Sequence, residues 1–107
     1  MKIVRTRRYL KDLKRIRATE AKVAALHASI VANPAAGDVV IGLKGVRKIR
    51  FPLGNKGKSG GGRAVYLLMI GDDVAVMLKA YAKNEQADLS ADDCKAIFSA
   101  IKEMTDD

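Results

Sequence analysis

VRKIRFPLGNKGKSGGGRAVYLLMI, residues 46–70, decides how this chain must fold. Within it Ile49, Phe51 and Leu53 alternate with Lys48, Arg50 and Pro52. A period of two predicts a half-buried strand with one apolar and one cationic face, ended by Pro52, which cannot donate to a ladder. Gly54 to Gly62 holds five glycines and no apolar period, so it reads as a loop whose backbone N–H groups can approach a ligand closely. Arg63 to Ile70 is almost continuously apolar and reads as a central strand covered on both faces. From Val46 to Arg63 there are six basic residues and no acidic one. Cations at that density repel one another when the chain compacts, and a polyanion is the natural compensator.

Downstream, Gly71-Asp72-Asp73 has the composition of a hairpin turn, and Val74 to Tyr81 is the next, antiparallel strand. Strict alternation puts Val74, Val76, Leu78 and Ala80 on one face of it and Ala75, Met77, Lys79 and Tyr81 on the other, with Lys83 continuing the second set. Ser90 and Asp93 form a capping-box pattern ahead of a last helix that carries Cys94, Ile97, Phe98, Ile101 and Met104. Upstream, Met1 to Arg5 reads as an edge strand. Thr6 can cap a helix with an apolar stripe of Tyr9, Leu13 and Ile16, with Leu10 beside it and Arg7, Arg8, Lys11, Lys14 and Arg15 opposite. Thr19 caps a second helix over residues 20–32, built on Val23, Leu26 and Ile30 and stopped by Asn33-Pro34. Residues 34–45 read as a loop with an apolar interruption at Val39-Val40-Ile41. The expected fold class is α+β: an N-terminal helical hairpin packed on a small, mostly antiparallel sheet, with a C-terminal helix. Its 107 residues make a single domain, residues 1–107.

Composition narrows the chemistry. The formal net charge is +8. Residues 1–22 hold nine basic and two acidic side chains, residues 44–63 seven and none, and residues 64–107 four and nine. That asymmetry argues for a directed anion-binding face. One cysteine, Cys94, allows no internal disulfide and suits a reducing, cytoplasmic setting. One cysteine and one histidine, His27, are too few for a zinc site, and no metal or other cofactor is expected. The longest apolar run, residues 64–70, is far short of a membrane span, and no membrane role is expected. Gly57-Lys58-Ser59 looks like the end of a nucleotide-binding loop, but Pro52 stands where its first glycine belongs and a strand follows where a helix should. Asp72-Asp73 and Asp92-Asp93 are explained by a turn and a helix start, and Cys94 by core spacing. The basic first helix is either a solvated face or a contact surface for RNA or an acidic protein. Around the opening stretch, Tyr66, Tyr81, Lys79 and Lys83 add rings and charge, the combination that single-stranded RNA recognition needs.

VRKIRF, then G-x-K-G-K-S-G-G-G-R, then AVY, then AYAKNE-x-x-DLS, in this order and spacing, resembles the RelE/HigB-type toxins of bacterial toxin–antitoxin modules over about residues 38–104. The first helices match in pattern and length. The resemblance implies a small endoribonuclease that cuts mRNA in the ribosomal A site and inhibits translation. It implies a cognate antitoxin, a helix-turn-helix DNA-binding protein in the HigB-like branch, and contact with operator DNA only through that antitoxin. Cleavage by attack of the RNA's own 2′-OH needs neither histidine nor carboxylate. Arg63 is then the candidate for stabilising the phosphorane, Lys56 and Lys58 for general-base or electrostatic work, and Lys83 and Tyr81 for proton donation or base stacking. Lys48 and Arg50 would hold flanking phosphates, with Tyr66 and Lys79 as further RNA contacts. The alternative is a non-catalytic nucleic-acid-binding or antitoxin-binding module that uses the same basic face.

Overall fold

The computed structural model describes residues 1–54, 61–69, 71 and 73–105. The elements run β1 (Lys2–Arg5), α1 (Arg7–Arg15), α2 (Glu20–Ala32), β2 (Asp38–Val39), β3 (Val46–Phe51), β4 (Gly62–Met69), β5 (Val74–Ala82) and α3 (Ala91–Thr105). The strands form one sheet in the order β1-β5-β4-β3-β2. β1 pairs parallel to β5 and every other pair is antiparallel, which is the expected α+β class. The caps sit where the threonines predict: the Thr6 hydroxyl accepts from the Tyr9 N–H and the Thr19 hydroxyl from the Lys22 N–H, each at 3.3 Å. The capping box at Ser90 and Asp93 closes in both directions at 3.0 Å.

Two cores lie on opposite faces of the sheet. On the first, Tyr9, Leu13, Val23, Leu26 and Ile30 of the hairpin pack on Phe51, Ala64, Tyr66, Met77 and Ala80. On the second, Ile97 of α3 packs on Val46, Val65, Leu67, Val76, Leu78 and Tyr81. The hairpin therefore covers one face and α3 part of the other.

Two features depart from the sequence reading. The loop at residues 34–45 contains a short strand, because Asp38 and Val39 pair with Lys48 and Arg47. Of the apolar run there, Val39 and Ile41 are exposed and Val40 packs against the second core. The second departure matters more. The β4–β5 register shifts between Val65, opposite Lys79, and Tyr66, opposite Met77. Leu78 is the extra residue of a β-bulge, and strict alternation fails there. Leu78 and Tyr81 consequently share the second face, while Ala80 turns to the hairpin. The bulge brings Tyr81 to the side of the sheet that carries Arg63.

β1 ends opposite Met77, leaving the rest of β5 without a strand on that side. Side chains of α1 take its place. The Ala80 N–H donates to Asp12 Oδ2 at 3.0 Å, and Arg15 Nη2 donates to the Ala80 carbonyl at 3.1 Å. Buried backbone groups must be paired, which explains why Asp12 is buried in a helix that otherwise reads as basic and apolar.

Candidate functional site

Strand register assembles the site. Arg50 stands opposite Arg63, and Arg63 opposite Tyr81, so the three form one row across β3, β4 and β5. Directly opposed residues share a face with their Cβ atoms about 5 Å apart. Lys48, Val65 and Lys79 form the next row. Val65 and Tyr81 belong to the α3-side core, which fixes the face. Its outer end, around Lys48 and Arg50, carries charge where the inner end carries aliphatic side chains.

Arg63 is buried, 8% exposed, and its Nη1 donates to the Gly62 carbonyl at 3.0 Å. Among the described residues no carboxylate pairs with it. Gly62 lets the strands close here: a Cβ on it would lie 2.7 Å from the Phe51 ring, its partner across β3. Arg50 is exposed and likewise has no ion-pair partner among the described residues.

Tyr81 is fully buried, and its hydroxyl is the buried side-chain polar atom left without a hydrogen-bond partner among the described residues. Burial, with Asp88 nearby, pushes its pKa up to about 12, with Arg63 acting in the opposite direction. The phenol therefore stays protonated through the neutral range and has a proton to donate. Asp88, in the loop after β5, accepts from Lys48 Nζ at 2.7 Å and from the Leu89 N–H at 2.8 Å. Those two bonds, Lys48 first, with a smaller contribution from the Tyr81 hydroxyl, hold its carboxyl below the usual range.

Behind the row lies a saturated network. Asp93 accepts from Arg8 at 2.9 Å, Gln86 at 2.9 Å and the Ser90 N–H at 3.0 Å, with Lys79 Nζ at 3.4 Å. Burial alone would raise its pKa, but the Ser90 and Gln86 hydrogen bonds and the Lys79 charge outweigh that and hold it well below the ordinary carboxylate range.

The residues singled out from sequence divide accordingly. Lys48, Arg50, Arg63 and Tyr81 come together. Lys83 is exposed one residue beyond β5, and its N–H donates to the Gly61 carbonyl at 3.0 Å, which places it at the end of the glycine-rich loop. Lys56 and Lys58 lie outside the described residues. Three expectations are corrected. Tyr66 is fully buried in the core under the hairpin, and its hydroxyl donates to the Pro34 carbonyl at 2.7 Å and accepts from the Gly37 N–H at 3.0 Å. It anchors the 34–37 turn and offers no ring to a base. Lys79 is 4% exposed, paired with Asp93 and 5.9 Å from the Tyr81 ring centroid, so it supports Tyr81 from inside. Tyr81 itself, fully buried, has no face free for stacking.

Sequence reading missed Asp88 and took Asp93 as a helix cap alone. Their partners lie 40 and 85 positions away, and no local pattern signals such pairs. His27 accepts or donates at 2.9 Å with the Tyr9 hydroxyl, and burial, then Arg5, lowers its pKa. Cys94 packs against the α3-side core. Among the described residues no group of three metal-binding side chains occurs. A separate cavity of about 720 Å³ opens between α1 and α2, floored by Leu10, Leu13 and Val23 and edged by Arg7, Lys11 and Lys14. Of the basic residues on α1, Arg8 and Arg15 are engaged with Asp93 and with Asp12 and Glu85, while the other three flank this cavity.

A family model described as the RelE toxin of the RelE/RelB toxin–antitoxin system matches residues 1–106. Among solved structures, the chain is similar to a double-arginine mutant of E. coli toxin RelE in the free state, at 16% identity and TM-score 0.55, covering 80% of this chain and 86% of that one. It is also similar to a chain of the intact E. coli RelBE toxin–antitoxin complex, at 18% identity and TM-score 0.52, covering 75% and 93%. At these identities the likeness is one of fold.

Proposed function

The chain belongs to the RelE toxin family, and from that premise we propose that it is an endoribonuclease that cleaves mRNA, in the ribosomal A site, and so inhibits translation. One observation carries the site assignment. Arg63 is a buried cation on the row with Arg50 and Tyr81, and no carboxylate pairs with it among the described residues. A buried charge without a counter-ion is costly, and an anionic ligand supplies the missing partner.

In the reaction the 2′-oxygen attacks the adjacent phosphorus while the bond from phosphorus to the 5′-oxygen breaks, leaving a cyclic phosphate and a 5′-hydroxyl. The phosphorane carries an extra negative charge on its non-bridging oxygens. Arg63, permanently charged, fork-shaped and held by β4, stabilises that charge. Tyr81, with its raised pKa, donates to the leaving 5′-oxygen. The proton of the 2′-OH passes to a lysine of the glycine-rich loop, Lys56 or Lys58, or to Lys83 at its end. Lys48 and Arg50 hold the flanking phosphates.

A cognate antitoxin restrains the activity, with operator DNA contacted only through it. The apolar cavity with its basic edge between α1 and α2 supports contact with an acidic partner helix. Among the described residues no helix is long and apolar enough to cross a membrane, and the ribosome places the activity in the cytoplasm. The test is expression without antitoxin. Growth halts, primer extension on ribosome-bound mRNA finds new 5′ ends, and Arg63→Ala abolishes both. Growth arrest without new 5′ ends sinks the nuclease reading.

A further inference from the structure

We propose that Asp88 is a built-in occupant of the phosphate site, a carboxylate latch that holds Lys48 and closes over Tyr81 until an RNA phosphate displaces it. The inference rests on the RNA reading above and adds to it an internal competitor.

Three observations converge. The first is position. Lys48 is one row from Arg50, Arg63 and Tyr81 on the same face, and its ammonium is held by Asp88 from the loop between β5 and α3. The second is the Tyr81 hydroxyl. It is wholly buried and has no partner in ordinary hydrogen-bond geometry among the described residues; the group it interacts with is the Asp88 carboxylate, which raises its pKa and which leaves with the latch. Leaving a buried hydroxyl unmade costs about 1–3 kcal/mol. A group kept in that state is poised for a partner that arrives later, and a phosphate oxygen is an acceptor of the right kind. The third is the balance of charge. Lys48, Arg50 and Arg63 present three cations to one facing carboxylate, so the cluster still attracts an anion with Asp88 in place.

The latch is built to open. Asp88 is 67% exposed and Lys48 27% exposed at their side chains. An ion pair that accessible is worth only about 0–1 kcal/mol. A phosphate exchanges one anion for another on Lys48, so the step leaves no cation stranded. Gln86, which donates to the Asp88 carbonyl at 2.9 Å, keeps the loop in place when the side chain swings away, a movement that gives up the Leu89 N–H bond together with the Lys48 pair. Departure of the carboxylate uncovers Tyr81 for the incoming phosphate.

The test is binding of a fluorescent 2′-O-methyl oligoribonucleotide, which cannot be cleaved, followed by anisotropy at fixed salt. Asp88→Asn keeps an acceptor for the Leu89 N–H and removes the charge. It should bind about fivefold tighter than the native chain, with its melting temperature little changed. Asp92→Asn, the same charge change at an exposed helix position, should leave affinity nearly unaltered. The gain should disappear in a Lys48→Met background. Equal or weaker binding by Asp88→Asn overturns the latch and leaves the RNA reading standing. So does an equal gain from Asp92→Asn, or a gain that survives Lys48→Met, since either makes the effect one of overall charge. Failure of every chain, native included, to bind the oligonucleotide overturns the RNA reading and the latch together.

Discussion

Lys79 on β5 and Arg63 on β4 are both cations buried on the second face of the sheet, 4% and 8% exposed. Lys79 meets the Asp93 carboxylate, which also serves Arg8, Gln86 and the Ser90 cap. Arg63 meets one backbone carbonyl. The same contrast separates the tyrosines. The Tyr66 hydroxyl has both a donor and an acceptor, and that of Tyr81 has neither in ordinary hydrogen-bond geometry among the described residues, with the exposed Asp88 carboxylate as its neighbour. A buried polar group whose valences are filled holds the fold together. One left open within an otherwise satisfied interior is kept for something that is not part of the chain.

The most severe way to break the comparison is at Arg63. Arg63→Ala should lower single-turnover RNA cleavage by about 10²–10³, the usual loss for one transition-state donor, and Arg63→Lys should recover only part of it, since a lysine cannot span two oxygens. Thermal melting of either variant should lie close to that of the native chain, because no ion pair among the described residues is lost and the bond given up is one to the neighbouring Gly62 carbonyl. A large drop in melting temperature would make Arg63 another structural cation.

Asp93 should respond in the opposite sense. Asp93→Asn strands Lys79 and weakens the cap of α3, at a cost of about 3 kcal/mol, or a fall of roughly 10–20 °C in melting temperature. The pH dependence follows from the depressed pKa. A carboxyl whose folded pKa lies below its unfolded value contributes in full above about pH 4, and that contribution is lost as pH falls through the folded value. Melting curves of the native chain between neutral pH and pH 2 should show this acid limb, and Asp93→Asn should flatten it.

How far these assignments were legible in the sequence depends on the range of the interaction. Thr6, Thr19, Ser90 and the alternation from Lys48 to Leu53 act within a few residues, and each element they predict is present. The cationic row was half legible: Lys48 and Arg50 follow from period two and Arg63 from its place at the start of β4. Tyr81 was grouped with Lys79, whose face it shares, but also with Ala75 and Met77, which lie on the other face, because a bulge at Leu78 depends on β4 and has no local signature. Asp12, Asp88 and Asp93 were opaque for a related reason. A carboxylate at a helix turn or in a loop has an adequate local explanation, and only the fold shows that its partner lies on another element.

Gly62 tests the packing beneath the open half. An alanine Cβ would press on Phe51 at 2.7 and 2.8 Å and on Leu53 at 3.1 Å. Gly62→Ala should therefore destabilise by about 2 kcal/mol, the middle of the range for overpacking, and should lower cleavage as well, since Arg63 is the next residue on the strand. Destabilisation without any change in cleavage would show that the row tolerates movement of β4.

The smallest shift in stability should come from Tyr81→Phe, and it discriminates most sharply when measured beside Tyr66→Phe. Loss of the Tyr66 hydroxyl breaks two hydrogen bonds and leaves the Gly37 N–H without its acceptor, so Tyr66→Phe should cost about 1–2 kcal/mol while cleavage follows only the fraction folded. Loss of the Tyr81 hydroxyl breaks no bond of ordinary geometry among the described residues and gives up only its interaction with the exposed Asp88 carboxylate. Melting of Tyr81→Phe should be unchanged or higher, by up to about 1 kcal/mol. Cleavage by the same protein should fall by about tenfold or more, as expected for a lost proton donor. The opposite signs of the stability changes are what the contrast requires. If Tyr81→Phe melts as low as Tyr66→Phe, the Tyr81 hydroxyl is bonded within the fold, and the case for a position held open for substrate reduces to Arg63 alone.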